Sequence, residues 1–68
     1  MKNNIKVQRA IQNITQAQLA EKVSVSRQTI NAMELGKYVP STQLALKIAS
    51  VFGKGVNEIF ELEESDWQ

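Results

Sequence analysis

Arg27, Gln28, Thr29, Asn31 and Ala32 share one short stretch, SRQTINAMELG, with an apolar pair, Ile30 and Met33. If the stretch is a helix, Ile30 and Met33 face inward and the other five residues lie away from that stripe. Long planar donors at the start of a docked helix are what reading base edges in a major groove requires. Arginine pairs bidentately with guanine, and glutamine or asparagine pairs with adenine. Taken singly, Gln16, Gln28 and Asn31 read first as solvated polar positions. Arg27 directly before Gln28 at the front of this helix is what favours base contact.

The elements that must position these residues are legible on either side. Thr15 is a good N-cap for QAQLAEKV, because its hydroxyl can accept from the free N–H groups of the first turn. Ser26 serves RQTINAMEL in the same way, and Gly36 closes that helix as a left-handed residue. Leu19, Ala20 and Val23 form the facing apolar stripe, with small Ala20 allowing close approach of the two axes. A preceding helix is expected from about Asn4 to Gln12, capped by Asn3 or Asn4 and ended by Asn13 in the left-handed region. After the loop KYVP, where Pro40 disfavours helix at Val39, Ser41 caps TQLALKIASVF. That helix carries Leu44, Ile48, Val51 and Phe52 on one face, with Ala45 and Ala49 at close contacts, and Gly53 and Gly55 break it. VNEIF is a short fifth helix, and in ELEESDWQ the alternation of Phe60 and Leu62 with acids suits a short strand. The expected fold is all-α, a five-helix bundle around a central helix-turn-helix, with residues 1–4 able to pair as a strand with the C-terminal segment.

Bulk properties narrow the chemistry. Sixty-eight residues make one domain, with residues 61–68 as an acidic C-terminal extension. A chain this small buries only about 60% of its unfolded surface, so oligomerisation is a plausible source of added stability. Without cysteine there is no disulfide framework or thiolate site, and without histidine the commonest general base and metal ligand is missing. The acids cluster in the tail and no serine has a candidate base beside it, so neither an enzyme nor a metal or other cofactor is expected. No apolar run approaches the ~20 residues of a membrane span and no signal peptide is visible, which predicts a soluble cytoplasmic protein. Residues 1–57 hold all eight Lys and Arg against Glu21 and Glu34, a balance of +6, whereas residues 58–68 carry five acids and no base. The basic body suits phosphate contacts and the tail must point away from DNA. An ordinary solvated face with a solubilising tail fits the same charges.

The segment TQAQLAEKVSVSRQTINAMELGK, followed by P, S and LALKIA, resembles the Xre family of helix-turn-helix regulators, which includes lambdoid phage repressors and Cro. The likeness covers roughly residues 4–60 and is nearest to small repressors of the cytolysin-operon type through SRQTIN and KY-x-PS-x-QLALKIA. It implies that Gln16 opens the first motif helix, meets backbone phosphate and can orient Gln28. It places Arg27, Gln28 and Asn31 at outward positions of the recognition helix, with Thr29 near a phosphate or a thymine methyl. Lys37, Tyr38, Ser41 and Thr42 fall where the family's next loop and helix N-terminus meet phosphate. Tyr38 can instead lay its ring on the loop, and Lys22, Lys47 and Lys54 read as surface charges. By the same resemblance Arg9 and Glu34 form a partly buried ion pair that ties the first helix to the recognition helix, as architecture and not as readout.

Two positions depart from the family. Ser24 stands where the turn usually has glycine, at about 1 kcal/mol if its φ is positive. Gln8 replaces a large aliphatic, while Val7, Ala10, Ile11 and Ile14 form a second apolar stripe. Either the helix rotates slightly into the core, or the C-terminal segment covers the stripe through Phe60, Leu62 or Trp67. The overall expectation is a sequence-specific regulator of double-stranded DNA, a repressor that acts as a homodimer on a pseudo-palindromic operator by occluding polymerase. Its dimer surface is expected around Val56, Asn57, Ile59, Phe60 and Leu62. The alternative is an antitoxin-like module that binds a protein partner through the tail or the first-helix stripe and also binds its own promoter.

Overall fold

The computed structural model describes residues 1–68 as strand β1 (Lys2–Asn3), helices α1 (Ile5–Gln12), α2 (Gln16–Val23), α3 (Arg27–Glu34), α4 (Thr42–Phe52) and α5 (Val56–Ile59), strand β2 (Phe60–Glu61) and a 3-10 turn at Glu64–Trp67. Side-chain hydroxyls start three of the helices: Thr15, Ser26 and Ser41 accept from the backbone N–H of Gln18, Thr29 and Leu44. At Thr15 the cap is reciprocal, because Gln18 Oε1 accepts from the Thr15 N–H at 2.8 Å. Chain reversals after α1 and α2 rest on Asn13 and Ser24, whose φ values are 56° and 61°. Ser24 therefore takes the strained conformation that its position demands. Gly36, at φ 75°, meets the same demand after α3 without a side chain.

The bundle closes through its ends. β1 and β2 pair antiparallel, with Lys2 opposite Glu61 and Asn3 opposite Phe60, and the Asn4 N–H donates to the Ile59 carbonyl at 3.0 Å. The expected terminal sheet is thus present, with two residues in each strand. Asn3 also joins three elements: its Nδ2 donates to the Met33 carbonyl at 2.7 Å and its Oδ1 accepts from the Ile5 N–H at 3.2 Å. This fixes the rotation of α1 and seats Ile5 in the core. Leu19, Val23, Ile30, Met33, Ile48, Phe52 and Ile59, each at most 4% exposed, share that core with Ala20, Leu44, Ala49 and Phe60. Burying each such side chain contributes about 1.5–3 kcal/mol before entropy is counted.

Two expectations are corrected here. The second stripe of α1 is not covered by the tail: Val7 and Ile11 are 56% and 70% exposed, Leu62 and Trp67 are exposed as well, and only Ile14 at its end packs against the core. Nor does α1 rotate, since Gln8 itself is buried and Gln12 Nε2 reaches the Phe52 carbonyl. The cause is the path of the tail. After β2 it turns toward the chain start, where the Met1 ammonium lies 3.0 Å from Glu63 Oε1 and 3.1 Å from Asp66 Oδ2. Ile59, expected at a dimer surface, is only 2% exposed because it belongs to this chain's own core, whereas Phe60, 8% exposed in β2, keeps an edge on the groove bordered by Val56, Asn57 and Leu62.

Candidate nucleic-acid interface

The cap at Ser26 starts α3 immediately before Arg27, so Arg27 and Gln28 occupy its first turn and Asn31 lies one turn on. Ile30 and Met33 are fully buried on the opposite side and hold the helix down. Arg27, Gln28 and Asn31 are exposed, and with Gln16 from the first turn of α2 they line one open groove of about 230 Å³ without an apolar residue. Arg27 and Gln16 also border a neighbouring groove of about 600 Å³ at the start of α2, which includes Arg9 and Thr15. Arg27 makes no ion pair, so its guanidinium fork is available to an anionic or base-edge acceptor.

The remaining expected contact residues are more dispersed. Thr29 is half-buried and its hydroxyl lies 3.0 Å from that of Ser26, so it reinforces the cap. Lys37 and Tyr38 are exposed in the loop after α3, and the Lys37 N–H donates to the Ala32 carbonyl at 2.9 Å. Ser41 spends its hydroxyl on the cap of α4, where Thr42 is exposed in the first turn. Val56, Asn57 and Leu62 lie on a different face and border an open groove of about 360 Å³. That groove is largely apolar, with Val39 and Leu46 across from them, and shares no residue with the polar groove of α2 and α3.

Beneath the polar groove runs a chain of hydrogen bonds. Arg9 grips Glu34 bidentately, with Nε donating to Oε2 at 2.6 Å and Nη2 to Oε1 at 3.0 Å. Its Nη1 donates to the Ile14 carbonyl at 3.2 Å. The two side chains are only 14% and 6% exposed. Burial pushes the Glu34 pKa up, but the hydrogen bonds from Arg9 and Gln16 and the charges of Arg9 and Lys6 outweigh it and hold the carboxyl below its ordinary value. The hydrogen bond to Glu34 raises the already high Arg9 pKa against the opposing effect of burial. Gln16 Nε2 donates to Glu34 Oε1 and to Asn31 Oδ1, each at 3.1 Å. Gln16 therefore engages Asn31, not Gln28 as the resemblance implied, because Asn31 and Glu34 sit three residues apart on the α3 face that meets the start of α2. That spacing was the available signal.

Two capped helices crossing at a left-handed turn, with planar donors along the exposed front of the second, form a helix-turn-helix. The family model HTH_3, described as helix-turn-helix, matches residues 5–59. The chain belongs to this family. The resemblance read from SRQTINAMELG and its flanks is borne out. Similar relatives include an uncharacterized HTH-type transcriptional regulator of Methanocaldococcus jannaschii, 53% identical over 97% of this chain and all of the relative. The uncharacterized HTH-type transcriptional regulator YgzD of Bacillus subtilis is 47% identical over 97% of this chain and all of its own length. One from Archaeoglobus fulgidus is 46% identical over all of this chain and 97% of the relative. No helix of this HTH_3 chain is long and apolar enough to cross a membrane.

Proposed function

We propose that this DNA-binding transcriptional regulator is a repressor that binds a pseudo-palindromic operator as a homodimer and blocks polymerase by covering the site. The observation that carries the readout is the polar groove of Gln16, Arg27, Gln28 and Asn31, exposed along the front of α3. In this reading Arg27, Gln28 and Asn31 meet base edges, while Gln16, Thr29, Lys37, Tyr38, Ser41 and Thr42 lie toward backbone phosphates. Support for the dimer comes from four large apolar side chains around the second groove: Val39, Leu46, Val56 and Leu62 are 38–60% exposed. A contiguous apolar surface on so small a domain marks an interaction site. In this reading Val56, Asn57, Phe60 and Leu62, with Val39 and Leu46, make the dimer contacts. A two-fold pair would set the recognition helices in successive major grooves about 34–36 Å apart.

The test is selection of an operator from a randomised duplex library, followed by titration of variants. Arg27→Ala and Gln28→Ala should each flatten preference at a defined base pair, with about 1–3 kcal/mol of discrimination lost. Unchanged sequence preference in both variants would refute the readout. In vitro transcription from a promoter overlapping the selected operator should fall on adding the protein; a rise would refute repression. The bare Val7 and Ile11 on α1 favour a second reading, the antitoxin-like module, in which that stripe meets a protein partner. A toxin that co-purifies with the wild type and is lost from Ile11→Ser would select it.

A further inference from the structure

The hydrogen bonds beneath the reading groove have a polarity that can be followed from end to end. An arginine only donates, so Glu34 faces Arg9 as an acceptor. An ionised carboxylate only accepts, so the end of the Gln16 amide that faces Glu34 must be its NH₂. The second proton of that NH₂ goes to Asn31, which must therefore turn its oxygen inward. The Nδ2 of Asn31 is then left without a protein partner on the exposed front of α3. An isolated asparagine has no such direction, because its two ends are nearly equal in size and either can lead.

We propose that Glu34 is a positioning residue for base readout: through Gln16 its carboxylate sets which end of Asn31 faces the DNA, so that the base edge opposite Asn31 must offer an acceptor. A purine N7, a guanine O6 or a thymine O4 meets that requirement, and the N4 amine of cytosine does not. The Arg9–Glu34 pair is then part of the readout as well as of the architecture. Arg9 keeps Glu34 ionised and in register, so the end of Asn31 left for the base edge is its NH₂. This inference rests on the reading that Asn31 meets a base edge.

The experiment uses the full chain and the selected operator, with every base pair substituted in turn and binding titrated for each. Asn31→Ala should flatten preference at one base pair. Glu34→Gln, whose amide can lead with either end, should lower preference at that same pair by roughly fivefold or more. In the Asn31→Ala background, Glu34→Gln should change that pair no further. Gln16→Met interrupts the relay without touching the Arg9 contact, and should reproduce the loss even if Glu34→Gln fails to fold. If Asn31→Ala changes a base preference that Gln16→Met and any folded Glu34→Gln leave intact, the relay is overturned and Glu34 is structural only. If Asn31→Ala alters no position, the base contact assigned to Asn31 fails first and the relay with it.

Discussion

The side chains along the front of α3 and in the following loop differ in what their loss should do to binding. Arg27 carries an unpaired, planar fork suited to guanine, so its removal should relax specificity at one base pair. Lys37 is an exposed point charge on a loop, and the phosphate contact proposed for it would carry no sequence information. Lys37→Ala should therefore weaken all operators alike and reduce the slope of log K against log salt by roughly one, as salt titrations on specific and scrambled duplexes would measure. A base-specific loss would move Lys37 from the backbone to the groove. The residue types of this face were readable in the sequence. Which of them touch one another was not, because Gln16 and Asn31 are fifteen positions apart and meet only once α2 and α3 cross.

Elements impose their own costs. Ser24 holds φ at 61° at the end of α2, where a Cβ is disfavoured, and it is exposed. Ser24→Gly should stabilise the domain by about 1 kcal/mol, a rise of roughly 4–8 °C in melting temperature, without moving the recognition helix. A lower melting temperature would mean that the hydroxyl has a role in the turn. The joint between α1 and α3 depends on Glu34, whose folded pKa lies below its ordinary value of 4.5. Its contribution to stability is complete above that value and is lost as pH falls through the lower folded one. Melts at descending pH should show the wild type losing stability below about pH 4.5 more steeply than Glu34→Gln. Parallel curves would show that Glu34 does not titrate with folding. The caps at Thr15, Ser26 and Ser41 were legible because a cap is local chemistry. The start of α1 was less so, since Asn3 bonds both within its own segment and to Met33, thirty residues away.

At the scale of the molecule, the polar groove and the apolar groove are separate surfaces, so the base contact proposed for one and the association proposed for the other can be perturbed independently. Leu46 is 56% exposed on α4. Leu46→Glu should leave the fold intact, convert the protein to a monomer in sedimentation at operator-binding concentrations, and weaken the full operator by roughly a hundredfold while a single half-site is little affected. A variant that remains dimeric would place the interface elsewhere. Surface-to-volume arithmetic supports such a partner, because a domain of this length keeps a large share of its apolar surface in water.

Local and periodic features were determined by the sequence alone: the helix caps, the breaks at Asn13, Gly36 and Gly53, the stripes of Leu19, Val23, Ile30 and Met33, and the donors left outside them. Each depends on neighbours within about one turn, so spacing is enough to read it. The tertiary structure alone decided the fates of polar and amphipathic residues whose partners are distant. It buried Gln8, left Val7 and Ile11 in water, and took Ile59 into the core. It also directed Gln16 to Asn31 and Glu34. Hydrophobic patterning says only that a face must be covered, whereas hydrogen bonds are directional and short, so their partners exist only after the chain has closed.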